Sequence, residues 1–198
     1  MKLTEEKIIN ILTKNTTFKD QFSLDDVSSV KSSKTTLITS SDMLVESTDM
    51  PPTMTLIQAS RKAIIMSVSD FASKGVTPQH CLISIGIPKK YSKNQIQQIA
   101  KGLQKGLKEY KISLIGGDTN SSKELIIDCT LMGFSNYKIP SRQTAQNNDI
   151  IYAIGKFGLT GTGLFLLKKK KKPINQFERN AIKSVLHPTV TLDPFVKL

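Results

Sequence analysis

The sequence is poor in the residues that build many recognisable sites. It has two cysteines and two histidines in 198 residues, and Cys81, Cys129, His80 and His187 give no zinc-ligand spacing. Each cysteine lies in an apolar alternating stretch, the setting of a small buried hydrophobe rather than a disulfide partner. No apolar run approaches the roughly 20 residues that span a bilayer. The opening MKLTEEKIINILTKN is an amphipathic helix pattern carrying two glutamates, not a signal peptide. A soluble, cytoplasmic protein without a membrane partner is expected. No G-x-x-x-x-G-K-[ST] loop is present, which excludes a simple Walker-type cradle. There is no G-x-S-x-G and no histidine beside a nucleophile, which argues against triad catalysis. GKFGLTGTG at 155 to 163 lacks the G-x-G-x-x-G spacing of a dinucleotide site and reads as a tight turn into a helix, whose backbone amides could still face an anion.

Acidic residues are also scarce, 16 against 28 Lys and Arg, for a net charge of +12. Such a field attracts anions, nucleic acid and phosphorylated metabolites alike. The basic residues are dispersed except for the lysine run at 168 to 172, and no aromatics are interleaved to stack bases. That run reads as a solvated helix end, and nucleic acid is not expected as a partner.

What remains is the pattern of a mixed α/β protein. Helical spacing marks 4–14, a long helix in 51–75 opened by proline and closed by glycine, a serine-capped helix over 92–110, and two more over 158–171 and 174–188. Strand patterns mark 22–31, 35–45, 79–88, 112–117, 124–135 and 149–155. Consecutive strands early and strand–helix units later argue α/β or α+β. The polar stretch SRQTAQNND at 141–149 suggests a boundary between a domain over 1–139 and a linker with the incomplete start of a second domain over 140–198.

Within this frame five aspartates recur beside glycine or small polar residues: Asp25 and Asp26 in SLDDV, Asp42 in ITSSDM, Asp70 in SVSDF and Asp118 in IGGDT. Gathered in one place they would repel, a single pair about 4 Å apart costing roughly 4 kcal/mol at an effective dielectric near 20. Oxygen donors with serines nearby suit Mg²⁺ bridged to phosphates. Taken singly, each aspartate is equally a cap or turn residue.

In order, SSDMLVES, SVSDFASKGVTP, LIGGDT and SRQTAQNNDIIYAIGKFGLTGTGLFLL resemble the N-terminal half of the thiamine-monophosphate kinase family, in the superfamily of aminoimidazole ribonucleotide synthetase and selenophosphate synthetase. The resemblance implies a mixed sheet with flanking helices that pairs across a homodimer into a barrel, and ATP-dependent conversion of thiamine monophosphate to thiamine diphosphate by direct in-line transfer assisted by Mg²⁺. It implies Asp26, Ser40, Ser41, Asp42, Asp70 and Asp118 as metal ligands, Gly117, Asp118 and Arg142 at ATP, and Asp118, Asp70 and Arg142 as the catalytic set. Asp49 stands at the position associated with substrate contact, where many bacterial members have a histidine. Family members continue past this end with a further aspartate-glycine motif, so the 198-residue chain is expected to turn over little by itself. Other readings are a different ATP-dependent enzyme of the superfamily, of the aminoimidazole ribonucleotide synthetase or hydrogenase-maturation type, and an inactive anion-binding dimerisation module.

Overall fold

The computed structural model describes residues 4–14, 25–152 and 157–192. After α1 (Glu5–Thr13) come β1 (Ser28–Ser32) and β2 (Thr35–Val45), the one-turn α2 (Glu46–Asp49), α3 (Leu56–Ser73), β3 (His80–Pro88), α4 (Lys93–Glu109), β4 (Ser113–Ser122) and β5 (Ile126–Ser135). A 3₁₀ turn at Arg142–Thr144 then leads to α5 (Leu159–Lys168) and α6 (Gln176–Leu186).

The two long helices are specified by the same local chemistry. Thr55 and Gln58 at the start of α3, and Ser92 and Gln95 at the start of α4, form reciprocal capping boxes. Both helices end in a Schellman arrangement: Val76 N–H reaches Phe71 O and Gly75 N–H reaches Ala72 O, while Ile112 and Lys111 do the same to Leu107 and Lys108. The cap places the start of α3 at Leu56 rather than at Pro51, which lies instead in a turn whose carbonyl takes the Met54 N–H.

The five strands form one sheet in the order β1-β2-β5-β3-β4, antiparallel except for the β3–β4 pair, which α4 connects as a parallel crossover. Helix α3 lies across β2 and β5, and α4 lies on α3. Ile38, Leu44, Ile127 and Leu131 of the sheet and Ile64 and Phe71 of α3 are fully buried between these layers. The α3–α4 contact needs glycine: a Cβ at Gly102 would stand 2.4 Å from the carbonyl oxygen of Ile57. Leu167 of α5 and Val185 of α6 join the same core. The other face of the sheet is open and leaves apolar Val30, Met43, Leu82 and Phe134 exposed.

Three further expectations change. The first strand starts at Ser28, because the Asp25 carboxylate takes the Asp26 N–H and the preceding backbone turns instead of pairing; residues 22–24 lie outside the described residues. β4 continues to Ser122, so the glycine pair and Asp118 sit inside a strand rather than after one. Asp149 closes a turn, its carboxylate accepting from Gln146 N–H and its own N–H donating to Gln146 O, and no strand includes 149–152. Residues 153–155 of that expected strand lie outside the described residues.

Candidate active site

The carboxylates of Asp26, Asp42 and Asp70 meet in a cleft of about 540 Å³ floored by β2 and closed on one side by α3. Alternation along β2 turns Ser40 and Asp42 toward α3 and Ser41 toward the open face. Asp70 lies in the last turn of α3 and accepts a 2.6 Å hydrogen bond from Ser40 Oγ. Asp42 lies beside Asp70 and Ser67, both of which act on its ionisation. Burial foremost, then the charges of Asp42 and Asp26, raise the Asp70 pKa to about 6 against the pull of Ser40. Burial likewise raises that of Asp42, with Asp128 and Asp26 adding to it. Asp70 is therefore protonated in acid and ionised above about pH 6, and the two neighbouring carboxyls titrate as interacting groups.

The adjacent aspartates of SLDDV have opposite settings. The Asp25 side chain is fully shielded from solvent, 2.6 Å from Lys74 Nζ, itself only 5% exposed. Burial pushes its pKa up, but the Lys74 bond and charge and the N–H groups of Arg142 and Asp26 outweigh that and hold it well below the usual carboxylate range. Asp26 turns into the cleft, where the half-exposed Arg142 guanidinium pairs with it while also reaching Asp25 Oδ1 at 3.1 Å. Lys74 also donates to Pro140 O at 3.3 Å, so one lysine ties the end of α3 to both 25 and 140. Sequence reading missed Lys74, although Ser67, Asp70 and Lys74 fall at i, i+3 and i+7, one face of a helix.

Asp118 does not join this group. By strand register it opposes Ser84, which opposes Asp128, which opposes Met43, a row on the open face of the sheet. Asp42 belongs to the neighbouring row, facing α3. Three strand spacings separate β2 from β4, about 14 Å. The expected gathering of five aspartates is thus a gathering of four. Gly117 has a role inside the sheet itself: at φ +155° its missing Cβ would fall 1.8 Å from Ile83 O, so close pairing with β3 already requires glycine. Ser41 faces Thr130 and Asp128, at 2.8 and 3.0 Å, at the rim of the cleft.

Asp49 lies elsewhere again, at the end of α2. Its carboxylate accepts from Val45 N–H and Thr48 Oγ1, both at 2.9 Å, and its carbonyl accepts from Lys62 Nζ at 2.9 Å.

Lys74 beside Asp25 and Arg142 beside Asp26 offset the charge of those two carboxylates. Among the described residues no three Asp, Glu, His or Cys side chains are arranged to enclose a metal ion. The donor set still suits Mg²⁺, which commonly takes one or two carboxylates and completes its shell with water and substrate phosphates. Above about pH 6 Asp70 offers such a carboxylate, with Asp42, Ser40 and Ser41 lining the same cleft.

Comparisons with known proteins agree on a family. The sequence is 42% identical over 196 residues to a thiamine-monophosphate kinase of Nitrosopumilus maritimus, covering 99% of this chain and 62% of that protein. It is 34% identical to that of Pyrococcus horikoshii, covering 90% and 57%. The solved structure of AaThiL complexed with AMPPCP and TMP superposes with a TM-score of 0.87 at 26% identity, over 98% of this chain and 63% of that one. A thiamine monophosphate kinase structure from Aquifex aeolicus gives 0.84 at the same identity, over 98% and 64%. The chain thus spans about three-fifths of the length of these relatives. Residues 24–135, which hold the whole sheet and the four gathered aspartates, match the model of the AIR synthase related protein, N-terminal domain, and the chain belongs to that family.

Proposed function

We propose that this chain is the nucleotide-binding part of an ATP:thiamine-phosphate phosphotransferase, a cytoplasmic kinase that converts thiamine monophosphate to thiamine diphosphate. One observation carries the reading: the cleft places a protonatable Asp42–Asp70 pair beside Asp26 and Arg142, in a chain whose relatives by sequence are thiamine-monophosphate kinases and whose structural neighbour holds an ATP analogue together with TMP.

Phosphoryl transfer between two anions demands positioning and charge neutralisation more than covalent help. Mg²⁺, when bound, would supply positive charge to offset that of the phosphates. Asp42 and Asp70 would hold it, with Asp26, Ser40 and Ser41 as further oxygens. Ser40 fixes the orientation of Asp70 through its 2.6 Å bond. Arg142, half exposed, exchanges Asp26 for the nucleotide phosphates. A phosphate oxygen of the acceptor attacks the γ-phosphorus directly while the bond from that phosphorus to the β,γ-bridging oxygen breaks and ADP leaves, so no side chain need act as a strong base and no phosphoenzyme forms.

Gly117 and Asp118 belong to this reading through a homodimer: they stand on the free edge strand, and the exposed apolar residues of the open face supply the surface against which a second copy would pack. Asp118 would then meet the nucleotide of the partner. In the same proposal residues 1–139 form the nucleotide-binding and dimerisation domain, and 140–198 a linker and the start of a second domain.

The test is a binding panel in the presence of AMPPCP and Mg²⁺. Saturable binding of thiamine monophosphate and none of formylglycinamidine ribonucleotide is expected. The reverse preference would move the protein to the aminoimidazole ribonucleotide branch and overturn the assignment.

A further inference from the structure

Two cavities share Lys62 and Pro188: one of about 210 Å³ between α3 and the α5–α6 pair, and one of about 420 Å³ between α3 and residues 188–190. The larger is also lined by Asp70, which lines the carboxylate cleft as well. Asp70 thus stands between the space beside Lys62 and the proposed site of transfer. Lys62, Met66 and Asp70 stand at i, i+4 and i+8 on one stripe of α3, about 12 Å of helix rise from end to end. Residues 188–190 form the far wall and are held in place: Arg61 donates to Pro188 O at 2.9 Å while gripping Glu109, and Tyr110 exchanges hydrogen bonds with Val190.

Lys62 is half-buried and makes no salt bridge among the described residues. Its ammonium donates to the Asp49 carbonyl at 2.9 Å, which uses one of its three N–H groups. Burial lowers its pKa and the Asp49 charge opposes this. Away from the cleft, the smaller cavity adds Leu164 and Val185 as apolar wall and the Asp49 carboxylate as a negative group.

We infer that Lys62 takes the phosphate of the acceptor monoester, holding it in the larger cavity with one side toward Asp70, while the organic and cationic part of the acceptor lies past Lys62 against Asp49, Leu164 and Val185. This rests on the kinase reading for the identity of the acceptor, but not for the anion site itself. It gives Asp49 a substrate role through charge rather than through a direct contact to phosphate.

The experiment is calorimetric titration of the full chain, with Mg²⁺ and AMPPCP present, using thiamine monophosphate, thiamine and inorganic phosphate as probes against wild type, Lys62→Met and Lys62→Arg. Lys62→Met should weaken thiamine monophosphate by about tenfold or more, the size of a charge-assisted contact. Thiamine and AMPPCP should be unchanged within about twofold, and Lys62→Arg should recover most of the loss because charge and donors are kept. Thermal unfolding of each variant separates loss of the Asp49 contact from loss of the anion. Phosphate species that bind wild type and Lys62→Met equally, or that do not bind wild type, overturn the proposal. Lys62-dependent binding of inorganic phosphate with no preference for thiamine monophosphate would uphold the anion site and remove the thiamine reading.

Discussion

The two ends of the sheet treat the same residue type in opposite ways. On the β2 side, aspartates are drawn under α3, where Asp25 is buried against Lys74 and Asp42 and Asp70 lean on each other. On the β4 side, Asp118 stands on an exposed edge strand, with no carboxylate partner among the described residues, in a strand whose residues are almost all exposed. Both settings look alike in sequence, an aspartate after small residues that follow an apolar run. What separates them is which strand has neighbours on both sides and a helix above it, a property of topology that a strand's own residues do not carry.

Breaking the buried end should have the largest effect. Lys74→Met leaves the shielded Asp25 carboxylate without its closest cation, and the cost expected for a severed buried pair is about 3 kcal/mol. The urea midpoint should fall accordingly, and a change under about 0.5 kcal/mol would show that Arg142 alone suffices. At the edge, Gly117→Ala places a methyl group 1.8 Å from Ile83 O. We expect a loss of about 2 kcal/mol from strain, with hydrogen exchange rising in β4 while β2 and β5 stay protected. Uniform loss of protection would mean that the edge strand is not the separable part.

The pH dependence sharpens the same contrast through sign. Asp70 has a folded pKa raised to about 6, so relative to the unfolded chain it opposes folding as pH rises from about 4 to 6 and adds a constant penalty above that. Asp25 has a lowered pKa, so its stabilisation is present above the unfolded carboxylate value and is lost as pH falls below about 4. Stability should therefore be highest between these regimes. Asp70→Asn should flatten the fall between 4 and 6 and leave the acid limb unchanged, as thermal unfolding across pH 3 to 8 would show.

Much of this architecture is legible from the chain. The Ser92 cap announces α4 and the apolar spacing announces α3, though its Thr55 cap went unread and the helix was expected to open at proline; the alternation in 126–135 matches a central strand buried on one face. The edge strand is not: with its side chains in solvent, β4 has no burial alternation to mark where it ends, so its extension to Ser122 could not be read. Lys74 was missed because a lysine before a helix-closing glycine ordinarily reads as solvated, whereas here it is the most buried cation of the site. Asp26, Asp42 and Asp70 were legible as a set through their small polar neighbours, and the structure gathers them. Asp118 was read with them on the same signal, and only the β3–β4 and β2–β5 registers place it on the opposite face.

The central claim is that the Asp42–Asp70 pair is where metal-linked nucleotide phosphates are held. Its direct test is titration of AMPPCP at pH 7.5 with and without Mg²⁺, on wild type and on Asp42→Asn/Asp70→Asn. Mg²⁺ should tighten binding to wild type by about tenfold, roughly 1.4 kcal/mol, and leave the double variant unmoved. Equal affinity in all four measurements would contradict the account.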